Sequence, residues 1–390
     1  MDKYLYWLDR VEGLGALSKR NLIAAFGNGE EVYRASEVHL KYILEERKLY
    51  ILQKAKENVE MDRAYEDLLS NHIHMTCYHE PEYPVKLRNI PDPPFCLYYK
   101  GKLPQADIPA VAVVGARECS GYGEYICAEL GEMLGSQGIQ VISGMARGID
   151  GISQMATLKA GGISFGVLGC GVDICYPQSN KYLYEELLIR GGIISTYPPG
   201  TKPQAKLFPP RNRIVSGLAD VLVVIEARQK SGTSITVEMA LEQGRDIFAV
   251  PGRVTDRLSD GCNKLVKEGA YVFLSPEDFC MDLEALLPAQ MEELRRRKLR
   301  ENEKNGESTV IKNCKDTEGI LLEEKSCEEG NSEKIYSVLD YYPQSIEEIM
   351  EKLKSDYQMD MKKEEIIGQM MMMCLFGTIK QDSAGWFSRK

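Results

Sequence analysis

The chain has 390 residues, room for two or three domains, and its 44% hydrophobic and 27% charged residues exclude wholesale disorder. A net charge of −10 excludes a uniformly basic nucleic-acid coat but leaves room for a local basic track. No apolar run reaches the roughly 20 residues of a membrane helix, so no membrane association is expected.

Residues 1–75 read as helical, with apolar residues at helical spacing around Tyr4, Leu8, Leu22, Phe26, Tyr42 and Leu52. Between the first two helices, Val11-Glu12-Gly13-Leu14-Gly15 places two glycines in a tight turn. Such a helical hairpin, of helix-hairpin-helix or SAM-like outline, either offers backbone N–H groups to a phosphate or simply connects two helices. Residues 76–104 hold six prolines, which prevent a regular helix and mark a connecting segment.

From there the pattern changes to short apolar strings at 110–115, 140–144, 164–169, 192–196, 221–227, 246–251 and 271–274, most of them separated by helical stretches. Strands buried on both faces read this way, so an α/β class is expected: an extended Rossmann-like, doubly wound parallel sheet over 76–287. Residues 288–333 carry Arg295-Arg296-Arg297-Lys298 and then few apolar residues, which reads as a charged linker with a solvated basic cluster. Residues 334–390 regain periodicity as three helices and a short hairpin, a winged-helix-like outline. With 8 Lys+Arg against 9 Asp+Glu, that tail favours protein contacts over DNA.

The glycine-rich turns follow the strands. Val114-Gly115-Ala116-Arg117 ends the first string; it is not GxGxxG, and Ser143-Gly144 stands where a nucleotide-binding site expects an acid, so no nicotinamide cofactor is expected. Ser143-Gly144-Met145-Ala146-Arg147 forms either a second anion cradle or a tight turn whose Arg147 pairs with Asp150. Residues 191–219 contain no acid but include Lys202, Lys206, Arg211 and Arg213. In Phe208-Pro209-Pro210-Arg211-Asn212-Arg213 a base can stack on the ring while guanidinium groups take phosphates; otherwise Phe208 is core and Arg213 forms a helix-start ion pair. Ser231-Gly232-Thr233 opens a helix as a further anion site or an ordinary N-cap. All these loops would converge at the carboxyl ends of the strands.

The eleven cysteines form no CxxC pair and the N-terminus shows no signal peptide, which points to reduced thiols in a cytoplasmic protein. All four histidines lie within residues 39–79, so the rest of the chain offers no imidazole for a triad or metal site.

The series GAR-x3-GYG, SGMARGID, GCGVDICYPQSN, FPPRNRIVSGLAD and EARQKSGTSITVEMALEQGRDIFAVPG resembles the DNA-processing protein A family (DprA, or Smf) over about residues 76–275. The resemblance implies a Rossmann core that binds single-stranded DNA without sequence specificity and without a cofactor, a helical N-terminal domain and a winged-helix-like tail. It implies protection of incoming strands in natural transformation, loading of the RecA recombinase and a homodimer through the Rossmann domain. Carried over by motif position, Arg117, Ser143, Gly144, Met145, Arg147, Lys181, Phe208, Arg211, Asn212, Arg213, Ser231, Gly232 and Thr233 would line the strand. Pro210 stands where many relatives carry a basic residue. Two other readings compete. One is a nucleotide phosphoribohydrolase of the LOG-like type, in which a glutamate follows a Gly-Thr phosphate loop. Here Glu238 comes five residues after Thr233, two too many, and the double glycine is missing. The other is a repressor that binds DNA through residues 334–390, against which the tail's near-neutral charge speaks.

Overall fold

A computed structural model describes residues 2–57, 61–304, 331–340, 343–359, 361–375, 378–381 and 386–389. The chain divides into two compact units, residues 1–305 and 306–390. The first is built on a nine-stranded sheet: β1 (His74–Cys77), β2 (Cys96–Gly101), β3 (Ala110–Gly115), β4 (Gln140–Ser143), β5 (Ser164–Leu168), β6 (Gly192–Ser195), β7 (Val221–Ile225), β8 (Asp246–Ala249) and β9 (Tyr271–Val272). The strand order is β1-β2-β6-β5-β4-β3-β7-β8-β9. The strands from β3 to β9 are the seven apolar strings, and every pairing among them is parallel.

Alternation within each string explains why both faces are covered. Val111 and Val113 of β3 join Val141, Val221 and Val223 in one core, while Ala110, Ala112 and Val114 join Ile142, Leu222 and Val224 in the core on the other face. Fully burying one such branched side chain stabilises the fold by roughly 1.5–3 kcal/mol.

Three expectations need correction. The proline-rich segment contains two strands: β2 pairs antiparallel with β6, and β1 with β2. Five of the six prolines stand between these strands and Pro104 follows β2, so none lies within a strand, and the Tyr83 hydroxyl donates to the Pro94 carbonyl at 2.8 Å. Antiparallel pairing also sets Cys77 opposite Cys96 with Cα atoms 4.1 Å apart, and the two form a disulfide, so not every thiol is free.

The third correction concerns residues 288–304, which form the helix Pro288–Lys304 instead of a linker. Met291 and Leu294, one turn apart, are buried beside Phe273, Phe279 and Leu283. The three arginines of the basic cluster are ion-paired: Arg295 with Glu284, Arg296 with Glu292, and Arg297 with Asp107 and, at 3.2 Å, with Glu293. Of the rest of the expected linker, 305–330 lies outside the described residues, and 331–333 already belong to the helix Asn331–Val338.

The helices of residues 1–75 share a core with the sheet. Leu8, Leu22, Leu52 and Leu68 pack in one cluster with Met75 and Tyr98. A buried polar contact adds to this: Tyr98 donates to Asp9 Oδ2 at 2.5 Å, and Lys19 lies 3.6 Å from Asp9 Oδ1. Burial pushes the Lys19 ammonium below its ordinary pKa, and the Asp9 charge opposes that shift.

In the second unit the helices Asn331–Val338, Ile346–Tyr357 and Lys363–Leu375 precede an antiparallel pair, Ile379–Gln381 with Phe387–Arg389. Ile335, Ile349, Leu353, Ile366, Met370 and Phe387 form its core. Among the described residues no helix is long and apolar enough to cross a membrane.

Candidate nucleic-acid interface

β3 and β7 are adjacent, with β4 beyond one and β8 beyond the other. This is the point in a doubly wound sheet where a crevice opens at the carboxyl ends of the strands. A groove of about 720 Å³ occupies it. Its lining includes Gly115, Ala116 and Arg117 after β3, Gly144 and Ala146 after β4, and Ala227 and Arg228 after β7. Phe208, Arg211 and Asn212 form a wall, and Ser231, Gly232 and Thr233 open a helix into it.

The wall belongs to the helix Phe208–Leu218, whose first turn accepts Pro209 and Pro210 because its N–H groups have no intrahelical partner in any case. The half-buried Phe208 ring has the Arg117 guanidinium carbon 5.8 Å from its centroid and that of Arg211 at 5.9 Å. The Tyr176 ring lies 5.7 Å away at 30°. Arg211 is buried; its Nη1 donates to the Val167 carbonyl at 2.5 Å, while its Nε has no protein partner. Gly144 is needed here, because any side chain would overlap Arg211 and Asp150. Burial pushes the Asp150 carboxyl up, and the Arg211 charge pulls it back.

Two of the helices that start at this rim have a serine in the cap position, and they differ. Ser120 caps Gly121–Ser136, accepting from Gly123 N at 3.2 Å. The buried Glu226 carboxylate accepts from Ser120 N at 2.8 Å and from the Ser120 hydroxyl, and it occupies the space above Gly123. An anion arriving at this end would meet a carboxylate. At the other helix, Gly232–Glu242, Ser231 makes no side-chain cap bond and its buried Oγ has no partner. Thr233 Oγ1 reaches the Gly115 carbonyl at 3.4 Å. An unfilled helix N-terminus of this kind favours negative charge.

Of the thirteen residues expected to line a strand, Arg117, Gly144, Phe208, Arg211, Asn212, Ser231, Gly232 and Thr233 line the groove, and five are placed elsewhere. Ser143 is buried, with its hydroxyl on the Val113 carbonyl at 2.6 Å. Met145 is core, held at φ 54° while Asn180 Nδ2 donates to the Met145 and Ala146 carbonyls at 3.0 Å each. Arg147 is exposed outside the groove; its loop touches the Arg117 loop, since Ile149 N donates to the Ala116 carbonyl at 3.2 Å. Asp150 turns to Gly144 N at 3.1 Å instead. Lys181 is exposed, 3.8 Å from Glu185 one turn along its own helix. Arg213 is ion-paired with Asp92 at 2.9 Å. Glu238 is exposed and does not line the groove.

Sequence reasoning missed Tyr176, Asn180 and Glu226 as shapers of this site. Asn180 and Tyr176 sit in the CYPQSN run and Glu226 at the end of β7, so only their position after strands marked them.

Known proteins agree with this architecture. The family model described as DNA recombination-mediator protein A matches residues 74–284. DNA processing protein DprA of Streptococcus pneumoniae is 42% identical over 202 residues, 52% of this chain and 71% of that protein. The X-ray structure of DprA from Streptococcus pneumoniae superposes with a TM-score of 0.62 at 32% identity, covering 72% of this chain and 98% of that one. The structure of DNA processing protein A from Helicobacter pylori, described for its single-stranded DNA binding mode, gives 0.50 at 29% identity, over 55% of this chain and 97% of that one. On the family match and the extent of these likenesses, the chain belongs to the DNA recombination-mediator protein A family.

Proposed function

We propose that the groove binds single-stranded DNA without sequence preference, and that the chain is a cytoplasmic, non-enzymatic mediator. It protects such strands during DNA uptake and loads the RecA recombinase onto them. The observation that carries this is Phe208 with the guanidinium groups of both Arg117 and Arg211 within 6 Å of its ring, in the groove that also holds the unfilled helix end at Ser231. A ring serves any base as a stacking platform, and guanidinium groups and helix N–H groups take phosphates, so affinity follows charge and not sequence. Two copies would join through the sheet unit. The exposed edge strand β9, with Tyr271, Val272 and Leu274 in solvent, supports that arrangement.

The test is a filter-binding titration of single- and double-stranded oligonucleotides across salt. Single strands bind more tightly, and log affinity falls linearly with log salt. Arg117→Ala weakens every sequence alike and lowers the magnitude of the salt slope by about 1. Unchanged binding and slope in that variant would remove Arg117 from the interface.

A further inference from the structure

A second arrangement of the same kind lies outside the groove, where the first helices meet the β1–β2 segment. The half-buried Tyr78 ring has the Arg20 guanidinium carbon 5.1 Å from its centroid and that of Arg88 at 5.9 Å. Arg88 Nη2 donates to the Glu80 carbonyl at 2.7 Å, but its Nε is buried without a partner. The Glu80 carboxylate turns away, to Cys77 N at 2.6 Å.

Asp92 connects this platform to the groove. Its carboxylate lies 2.9 Å from Arg213 Nη1 and 3.9 Å from Arg20 Nη2, yet its side chain is 71% exposed. Among the described residues it is the one carboxylate within ion-pair reach of either arginine, and Arg88 has none. Arg213 stands one turn beyond Pro209 on the same helix, and Pro209 lines the groove. Burial above all pushes the neighbouring His79 imidazole below its usual range, a hydrogen bond with the Arg20 backbone opposes that shift, and the charges of Arg20 and Arg88 add to it.

We propose that a nucleic-acid strand leaving the groove continues past Arg213 onto Tyr78, Arg20 and Arg88, and that Asp92 occupies a phosphate position on this track until a strand displaces it. The inference rests on the groove reading. It adds a second base platform and a second set of phosphate contacts, made by residues of the helical segment and of the segment between β1 and β2. An exposed carboxylate shared by two arginines supplies the charge that a phosphodiester would bring, and its exposure allows replacement at small cost.

The experiment measures fluorescence anisotropy of the full chain with oligothymidylates of about 4 and about 16 nucleotides, lengths that bracket a single binding site. Arg20→Ala is expected to weaken the long oligonucleotide about 3- to 10-fold and leave the short one unchanged. Asp92→Asn, at an exposed position, is expected to tighten the long one by a similar factor and not the short one. An equal change at both lengths, or no change at the longer length in either variant, overturns the extended track while the groove reading stands. If the unaltered chain binds neither length, the groove reading fails and the track with it.

Discussion

The helix that follows β3 and the helix that follows β7 begin at the same rim, and each has a serine in the cap position. One end is filled from within by Glu226; the other is left unfilled, with Ser231 Oγ unpartnered. The turn after the first strand of such a sheet commonly seats a phosphate, and in this chain a carboxylate sits there instead. On the proposed reading, the anion-binding capacity of the rim is thereby moved one strand over, to the groove lined by Phe208, Arg117 and Arg211. A helix end becomes a binding site through what is withheld from it as much as through the residues it carries.

Four substitutions sharpen or break that comparison. The largest effect is expected from Glu226→Ala, which leaves the Ser120 amide and hydroxyl without their carboxylate and costs about 2–3 kcal/mol of stability in urea unfolding. A loss below about 0.5 kcal/mol would mean that the first helix end is not held by this contact. Next, Phe208→Ala removes the platform at the open end and costs about 1–3 kcal/mol in single-strand affinity with little effect on folding, read by anisotropy beside a thermal melt. Equal affinity would break the link between the open end and DNA. The smallest effects come from the two cap serines: Ser120→Ala costs about 1 kcal/mol of stability and Ser231→Ala under about 0.5 kcal/mol, since Ser231 caps nothing. Equal losses would show the two ends to be alike.

The parallel strands β3 to β8 were legible because each is a largely buried apolar string, a pattern carried by its own residues, and β9 was legible as an apolar string although it is exposed. β1 and β2 were not, because they flank a proline-rich stretch and are placed by antiparallel pairing, β2 on β6 and the edge strand β1 on β2. The site was legible as loops and less so as side chains. Arg211 and Arg213 stand two apart on one helix and so leave it in roughly opposite directions. The sequence does not say which of them faces the groove, and the structure turns Arg211 inward and Arg213 toward Asp92. Ser120 and Ser231 likewise read as the same cap until the tertiary position of Glu226 separates them.

The helix Pro288–Lys304 has a practical consequence for anyone dividing the chain. A cut at the compositional change after Leu287 strips away Met291 and Leu294, leaving Phe279 and Leu283 facing water. Such a fragment would be prone to aggregate through that bare patch. A boundary after Lys304 keeps the amphipathic cover in place.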